Sequence, residues 1–206
     1  MYKRIFGVSA SFLFALLILC ISIFSSSQVV YVFGQTSTPA PILGQKVEID
    51  YLMPYAGKVS PDSPLWTVKA LRDKLWLTLT LDPVKKIQLL NLLADKRVQN
   101  ANELVVEDKS ELGVSTLTKA EKYLEQAVMA EKDARSKKSN TAAATKVLAM
   151  SILKHRQILE NILAIAPEDA KPVIVKTIDL NKSLFNQIKM SLNEQGLPSP
   201  ENPFKD

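Results

Sequence analysis

From Ser60 to Gly196 apolar residues return at steps of three and four, and no stretch alternates as a half-buried strand would. That periodicity leaves helices as the only regular structure the chain needs. Asp62-Ser63-Pro64 and Asp82-Pro83 each set a capping carboxylate ahead of a proline, which gives up no internal hydrogen bond in a first turn. Val68, Leu71, Leu75 and Leu79 then line one face of a first helix, and Ile87, Leu90, Ala94, Val98, Ala101 and Val105 one face of a second that ends before Gly113. A third helix runs through Leu117, Ala120, Leu124, Ala127 and Ala134, opened either by Ser110 or by Thr118 with Glu121 in a capping box. A fourth starts at Asn140 or Thr141 and buries Ala144, Leu148, Ile152, His155, Leu159 and Ile162. Pro167 and its following acids suit the first turn of a fifth, unless Pro172 delays or bends its start, with Ile174, Ile178, Phe185, Ile188 and Leu192 inward, and Gly196 ends it. Long helices joined by short loops are antiparallel neighbours by default, so the fold class is all-α, an antiparallel bundle of four or five helices over residues 61–196.

The first 35 residues obey a different physical logic. Lys3 and Arg4 precede an uncharged, Phe-, Leu- and Ile-rich stretch from Ile5 to Phe24, and no further charge comes before Lys46. About 20 such residues at 1.5 Å each match a bilayer's hydrocarbon core. Residues 1–35 therefore read as a cleaved signal peptide or a retained membrane anchor, a transmembrane helix over residues 5–24; both place the remainder outside the cytoplasm. Cys20 follows Leu17-Ile18-Leu19, where a lipoprotein signal wants a smaller residue, so it reads as an apolar member of that stretch.

Residues 36–60 divide in two. Thr36-Ser37-Thr38-Pro39-Ala40-Pro41 is a spacer with little apolar area to offset chain entropy, whereas Tyr51, Leu52, Met53 and Tyr55, interrupted by Pro54 and Gly57, suit an extended strap against the folded body. The tail, residues 197–206, carries prolines at 198, 200 and 203 and is expected to be disordered or extended.

Composition removes several classes of chemistry. With 1 His and 1 Cys the chain has no zinc finger, disulfide framework or Cys-x-x-Cys pair, and it carries no phosphate-binding loop or nucleophile elbow. Hence no catalytic, cofactor-binding or metal-ligating residues are assigned. The balance of 26 Lys+Arg against 21 Asp+Glu falls by two bases beyond residue 35, too mild and dispersed for a nucleic-acid binder, so no nucleic acid is expected. His155 reads as a core or boundary histidine, since Ile152 stands where a di-iron bundle would place Glu. The pairs Glu103 with Glu107 and Glu121 with Glu125 read as solvated helix faces, and Trp66 and Trp76 as core or helix-contact anchors. Two groups form a candidate interaction surface: Tyr51, Met53 and Tyr55 on the strap, and Lys132, Arg135, Lys137 and Lys138 near a helix end, where the cations also suit the helix dipole.

Tyr51-Leu52-Met53-Pro54-Tyr55-Ala56-Gly57, then Pro61-Asp62-Ser63-Pro64-Leu65-Trp66, Leu81-Asp82-Pro83-Val84-Lys85-Lys86 and Leu93-Ala94-Asp95-Lys96-Arg97 carry a resemblance over about residues 51–131. The chain is similar to a bacterial family of exported helical domains catalogued as a domain of unknown function, number five-six-six-seven. The resemblance implies an exported helical domain behind a signal or anchor and supplies no catalytic residues. The function expected is a non-enzymatic extracytoplasmic helical module for interaction with a protein or an anionic polymer of the envelope, bound to the membrane through residues 5–24 if these are uncleaved. The alternative is an exported small-ligand carrier or enzyme with a pocket between helices. Acids, Lys and His155 gathered in a closed pocket would favour that alternative, and an exposed apolar groove the module.

Overall fold

The computed structural model describes residues 47–204. The expected signal or anchor, residues 1–35, and the first part of the spacer lie outside the described residues. Those described form five helices and no strand: α1 (Trp66–Leu79), α2 (Pro83–Val106), α3 (Ser110–Ser136), α4 (Ala142–Ile165) and α5 (Lys171–Glu194). Asp82 caps α2, its Oδ1 accepting from the Lys85 amide at 2.8 Å with Pro83 in the first turn. Helix α3 starts at Ser110 rather than at Thr118, so Glu121 lies well inside it. Helix α5 ends at a left-handed Gly196 (φ 67°), and the Leu197 amide reaches back to the Leu192 carbonyl at 2.9 Å.

Helices α2 to α5 make a four-helix bundle in which α2 packs on α3 and α4, and α5 packs on the same two; α2 and α5 face one another across a diagonal. The closest pair is α2 with α3, where Ala94, Ala101, Ala120 and Ala127 are fully buried. Gly113 carries this approach. A Cβ there would lie 2.5 Å from Val105 Cγ2 and 3.2 Å from the Ala101 carbonyl oxygen. Gly113→Ala gains about 1 kcal/mol of helix propensity, but overpacking costs about 1 to 3 kcal/mol. The expected outcome is a net loss in the urea midpoint, larger for Gly113→Val; a stabilised alanine variant would show that the two helices part freely.

Two apolar clusters fill the bundle. One includes Leu90, Leu124, Leu148, Ile152 and Phe185, the other Val98, Leu117, Leu159, Ile162 and Ile174. The extended segment before α1 lies along this body. Ile49 is buried and its amide donates to Gln157 Oε1 at 2.9 Å, while Lys154 Nζ bonds Glu48 at 2.6 Å. At the other end of the chain, Leu197 and Phe204 rest against the first cluster, and Arg156 stacks over the Phe204 ring.

Helix α1 departs from the sequence reading. Among the helices it touches only α2, and its one buried residue is Asp73. Of the stripe that an amphipathic helix ordinarily turns inward, Val68, Leu75 and Leu79 are 66%, 54% and 76% exposed and Leu71 is half-buried. Trp76, expected as a core or helix-contact anchor, is half exposed. The reason lies in what α2 offers at that point, a buried arginine.

Candidate functional site: an outward apolar face and a buried carboxylate centre

Arg97 of α2 is buried, its guanidinium stacked 4.3 Å from the Tyr123 ring centroid and 5.6 Å from that of Trp66. A buried cation demands a counter-charge, and α1 supplies it with Asp73, whose Oδ2 lies 3.8 Å from Arg97 while its Oδ1 accepts from Arg72 at 2.7 Å. One turn earlier, Lys69 Nζ sits 4.7 Å over the Trp66 ring and donates to the strap carbonyls of Ala56 and Val59 at 3.1 and 2.9 Å. Burial lowers the Lys69 pKa from its ordinary value. The side of α1 that carries Asp73 and Lys69 is thus held inward by charge, carbonyl and cation–π contacts, with Leu77 packed on the first apolar cluster, and Val68, Leu75 and Leu79 are left outside.

A second feature lies at the middle of the bundle, where each helix contributes a polar side chain to one layer. His155 of α4 is buried between two carboxylates: Nδ1 meets Glu121 Oε1 of α3 at 2.6 Å and Nε2 meets Asp95 Oδ1 of α2 at 3.0 Å. Ser151 donates to Asp95 Oδ1 at 2.6 Å, and Tyr51 of the strap donates to Asp95 Oδ2 at 2.7 Å. Asn181 of α5 donates to Glu121 Oε2 at 3.1 Å. Burial by itself would lower the His155 pKa, but the Glu121 charge and the hydrogen bonds to both carboxylates overcome it and push the imidazole up to about 9. The ring is an imidazolium at neutral pH, donating from both nitrogens. Burial, reinforced by Asp95, holds the Tyr51 phenol far above its ordinary range, so it stays a donor.

Nearer the α3–α4 loop, Glu131 is also buried and accepts from Thr141 Oγ1 at 2.9 Å, Ser191 Oγ at 2.9 Å and Arg135 Nε at 3.2 Å. It places a carboxylate at the start of α4, where Thr141 makes no side-chain cap of its own. Arg135 further pairs with Glu194.

These placements sort the residues named from sequence. Tyr51 points into the core, Met53 packs on the second apolar cluster, and Tyr55 is 72% exposed. Arg135 is engaged with Glu131 and Glu194, and Lys137 bonds Asp133 at 2.8 Å; Lys132 and Lys138 are exposed. The structure therefore does not gather the basic group into one free patch. His155 lies in the core. Glu121 corrects the solvated-face reading, because it occupies the same inward stripe as Leu117 and Leu124, at steps of four and three, and is fully buried; Glu103 and Glu107 are exposed. Sequence reasoning missed Asp95, Asn181 and Glu131, although each interrupts an inward stripe at a helical step. Among the described residues no group of three or more His, Cys, Asp and Glu side chains is arranged to hold a metal ion.

An all-helical domain with a charge-docked first helix and a buried centre of His155 between two carboxylates is what these residues define. Residues 58–169 match the family model described as Domain of unknown function (DUF5667), and the chain belongs to that family. The match spans α1 to α4, and so includes Asp73, Arg97, Asp95, Glu121 and His155, and stops before α5. No curated protein and no solved structure matches the chain.

Proposed function

We propose that the protein is a non-enzymatic interaction module presented outside the cytoplasm behind its N-terminal signal or anchor, and that its docking surface is the outward face of α1. The carrying observation is the inverted helix: Val68, Leu75 and Leu79 stand in solvent while Asp73 is buried. Unpartnered apolar surface of this kind marks a binding face, and the contacts from Asp73 and Lys69 hold it in place before anything binds. Leu65 and Leu81, at the two ends of α1, are also exposed and lengthen the face.

The buried centre supports the same reading. Both ring nitrogens of His155 are consumed by carboxylates, and Ser151 bonds Asp95 rather than the histidine. A general base needs a nitrogen free to take a proton from a nucleophile, and a ligand carrier needs inward polar groups left over for its ligand. Around His155 those groups satisfy one another; Asn91 Oδ1 and the Asn100 side chain of α2 are buried without a partner among the described residues.

A photo-crosslinking amino acid at Leu75, in the full chain in its native envelope, tests this. Adducts are expected from Leu75 and not from a control position at exposed Lys122 on α3. No adduct at Leu75, or equal yields at the two positions, would remove α1 as the docking face.

A further inference from the structure

Resting on the reading of α1 as a docking face, we infer that its occupant is the headgroup region of an anionic lipid bilayer. The face has the composition of a helix that lies in a membrane interface: a leucine stripe, a tryptophan at its side and cations beyond. Leu75 and Leu79 stand outward, Trp76 is half exposed beside them, and Arg72 and Lys74 are exposed on the same helix. Leucines enter the acyl boundary, an indole stays at headgroup level, and arginine and lysine reach outward to phosphate.

Charge around the face is one-sided. The acids beside α1 are committed: Asp62 and Glu107 share Lys109 at 2.6 and 2.8 Å, Asp73 is buried against Arg97 and bonds the exposed Arg72, and Asp82 caps α2. Lys58, Lys85 and Lys86 are exposed and join Arg72 and Lys74 in facing solvent. A protein partner with an apolar groove would be served by the leucines alone. Lys58, Lys74, Lys85 and Lys86, exposed and without an ion pair among the described residues, fit an anionic surface better.

The chain before the described residues points the same way. It runs through the uncharged stretch Ile5–Phe24 and the Pro-Ser-Thr spacer into the strap, which leads directly into α1. As a random coil, a chain of the length of residues 25–46 would have a root-mean-square reach of about 26 Å. With Ile5–Phe24 retained as an anchor, α1 needs little intrinsic affinity to lie on the bilayer, because the tether supplies a high effective concentration.

Trp66 and Trp76 are the only tryptophans, so native fluorescence reads the contact. The full chain is reconstituted in phosphatidylcholine vesicles with and without about 30 mol% phosphatidylglycerol. With the anionic lipid, emission is expected to shift to the blue and to be quenched by acyl-brominated lipid. Trp76→Phe should abolish the quenching, and Leu75→Glu with Leu79→Glu should cut it about threefold with helicity unchanged. Lys74→Glu with Lys86→Glu, at two exposed lysines without an ion pair among the described residues, should weaken it only where phosphatidylglycerol is present. Emission indifferent to anionic lipid, or quenching that survives Trp76→Phe, overturns the inference. A shift that follows protein density instead of lipid charge assigns the face to a second copy and overturns it as well. Crosslinks from Leu75 to a protein, without any lipid signal, would retain the docking face and discard only its lipid occupant; neither signal would discard both.

Discussion

Replacing Glu121 by alanine is expected to cost about 3 to 5 kcal/mol, the effect of removing one partner from a buried ion pair. The loss exceeds that of an ordinary core truncation of the same size because of what remains. His155 keeps its positive charge but loses the carboxylate at 2.6 Å, and Asn181 loses the acceptor at 3.1 Å, both where water does not reach. Glu121→Gln keeps the shape and a carbonyl acceptor while removing the charge, and should lose less. Glu103→Ala, at an exposed site on α2, serves as the control, expected within about 0.5 kcal/mol of the parent. Urea unfolding followed by helical circular dichroism measures all three. A Glu121→Ala loss below about 1 kcal/mol would show that the centre is not an ion pair under strain of burial.

The same centre makes stability depend on pH. The folded pKa of His155 is raised from 6.5 to about 9. The proton is therefore bound more tightly in the folded state, and its contribution is complete below the unfolded value and disappears as pH rises through the folded one. A difference of this size corresponds to about 3 kcal/mol, lost between about pH 6.5 and 9. The groups facing the ring are Asp95, Glu121 and, through Asp95, Tyr51, which remains a neutral donor across that window. His155→Gln should be less stable than the parent near pH 6 and should lose most of its pH dependence across the window. A parent whose unfolding midpoint is flat from about pH 6 to 9 would mean that the imidazole is neutral in the core.

Much of the helical layout was legible because its signals are local. Asp82-Pro83 starts α2 wherever the helix later packs, since the capping bond joins residues three apart, and Gly196 stops α5 by adopting a left-handed backbone at no steric cost. The start of α3 was less legible. Thr118 and Glu121 have capping-box spacing, but spacing alone cannot distinguish a helix start from two positions inside a longer helix. In the structure Thr118 Oγ1 bonds the Val114 carbonyl one turn back and Glu121 turns to His155.

The polar centre was half visible. Asp95, Glu121, His155 and Asn181 each break an otherwise apolar stripe at a helical step, so a reading of inward positions finds four isolated faults. Whether they cancel depends on the depth at which each helix places its fault. Depth is a matter of how the helices slide along one another, and no single helix records it. Alignment in one layer turns four buried polar groups, each costly alone, into a satisfied network.

Residue order by itself determined that the chain is helical and roughly where each helix runs, that α1 has an apolar stripe through Val68, Leu71, Leu75 and Leu79, and that a single histidine excludes multi-histidine metal chemistry. Only the tertiary structure decided which way that stripe faces. Amphipathicity states that the two sides of a helix differ; the neighbour chooses between them. Beside α1 that neighbour is the buried guanidinium of Arg97, which needs Asp73 more than α2 needs another leucine, and the helix turns its carboxylate inward because an unpaired buried charge costs more than leucines left in water.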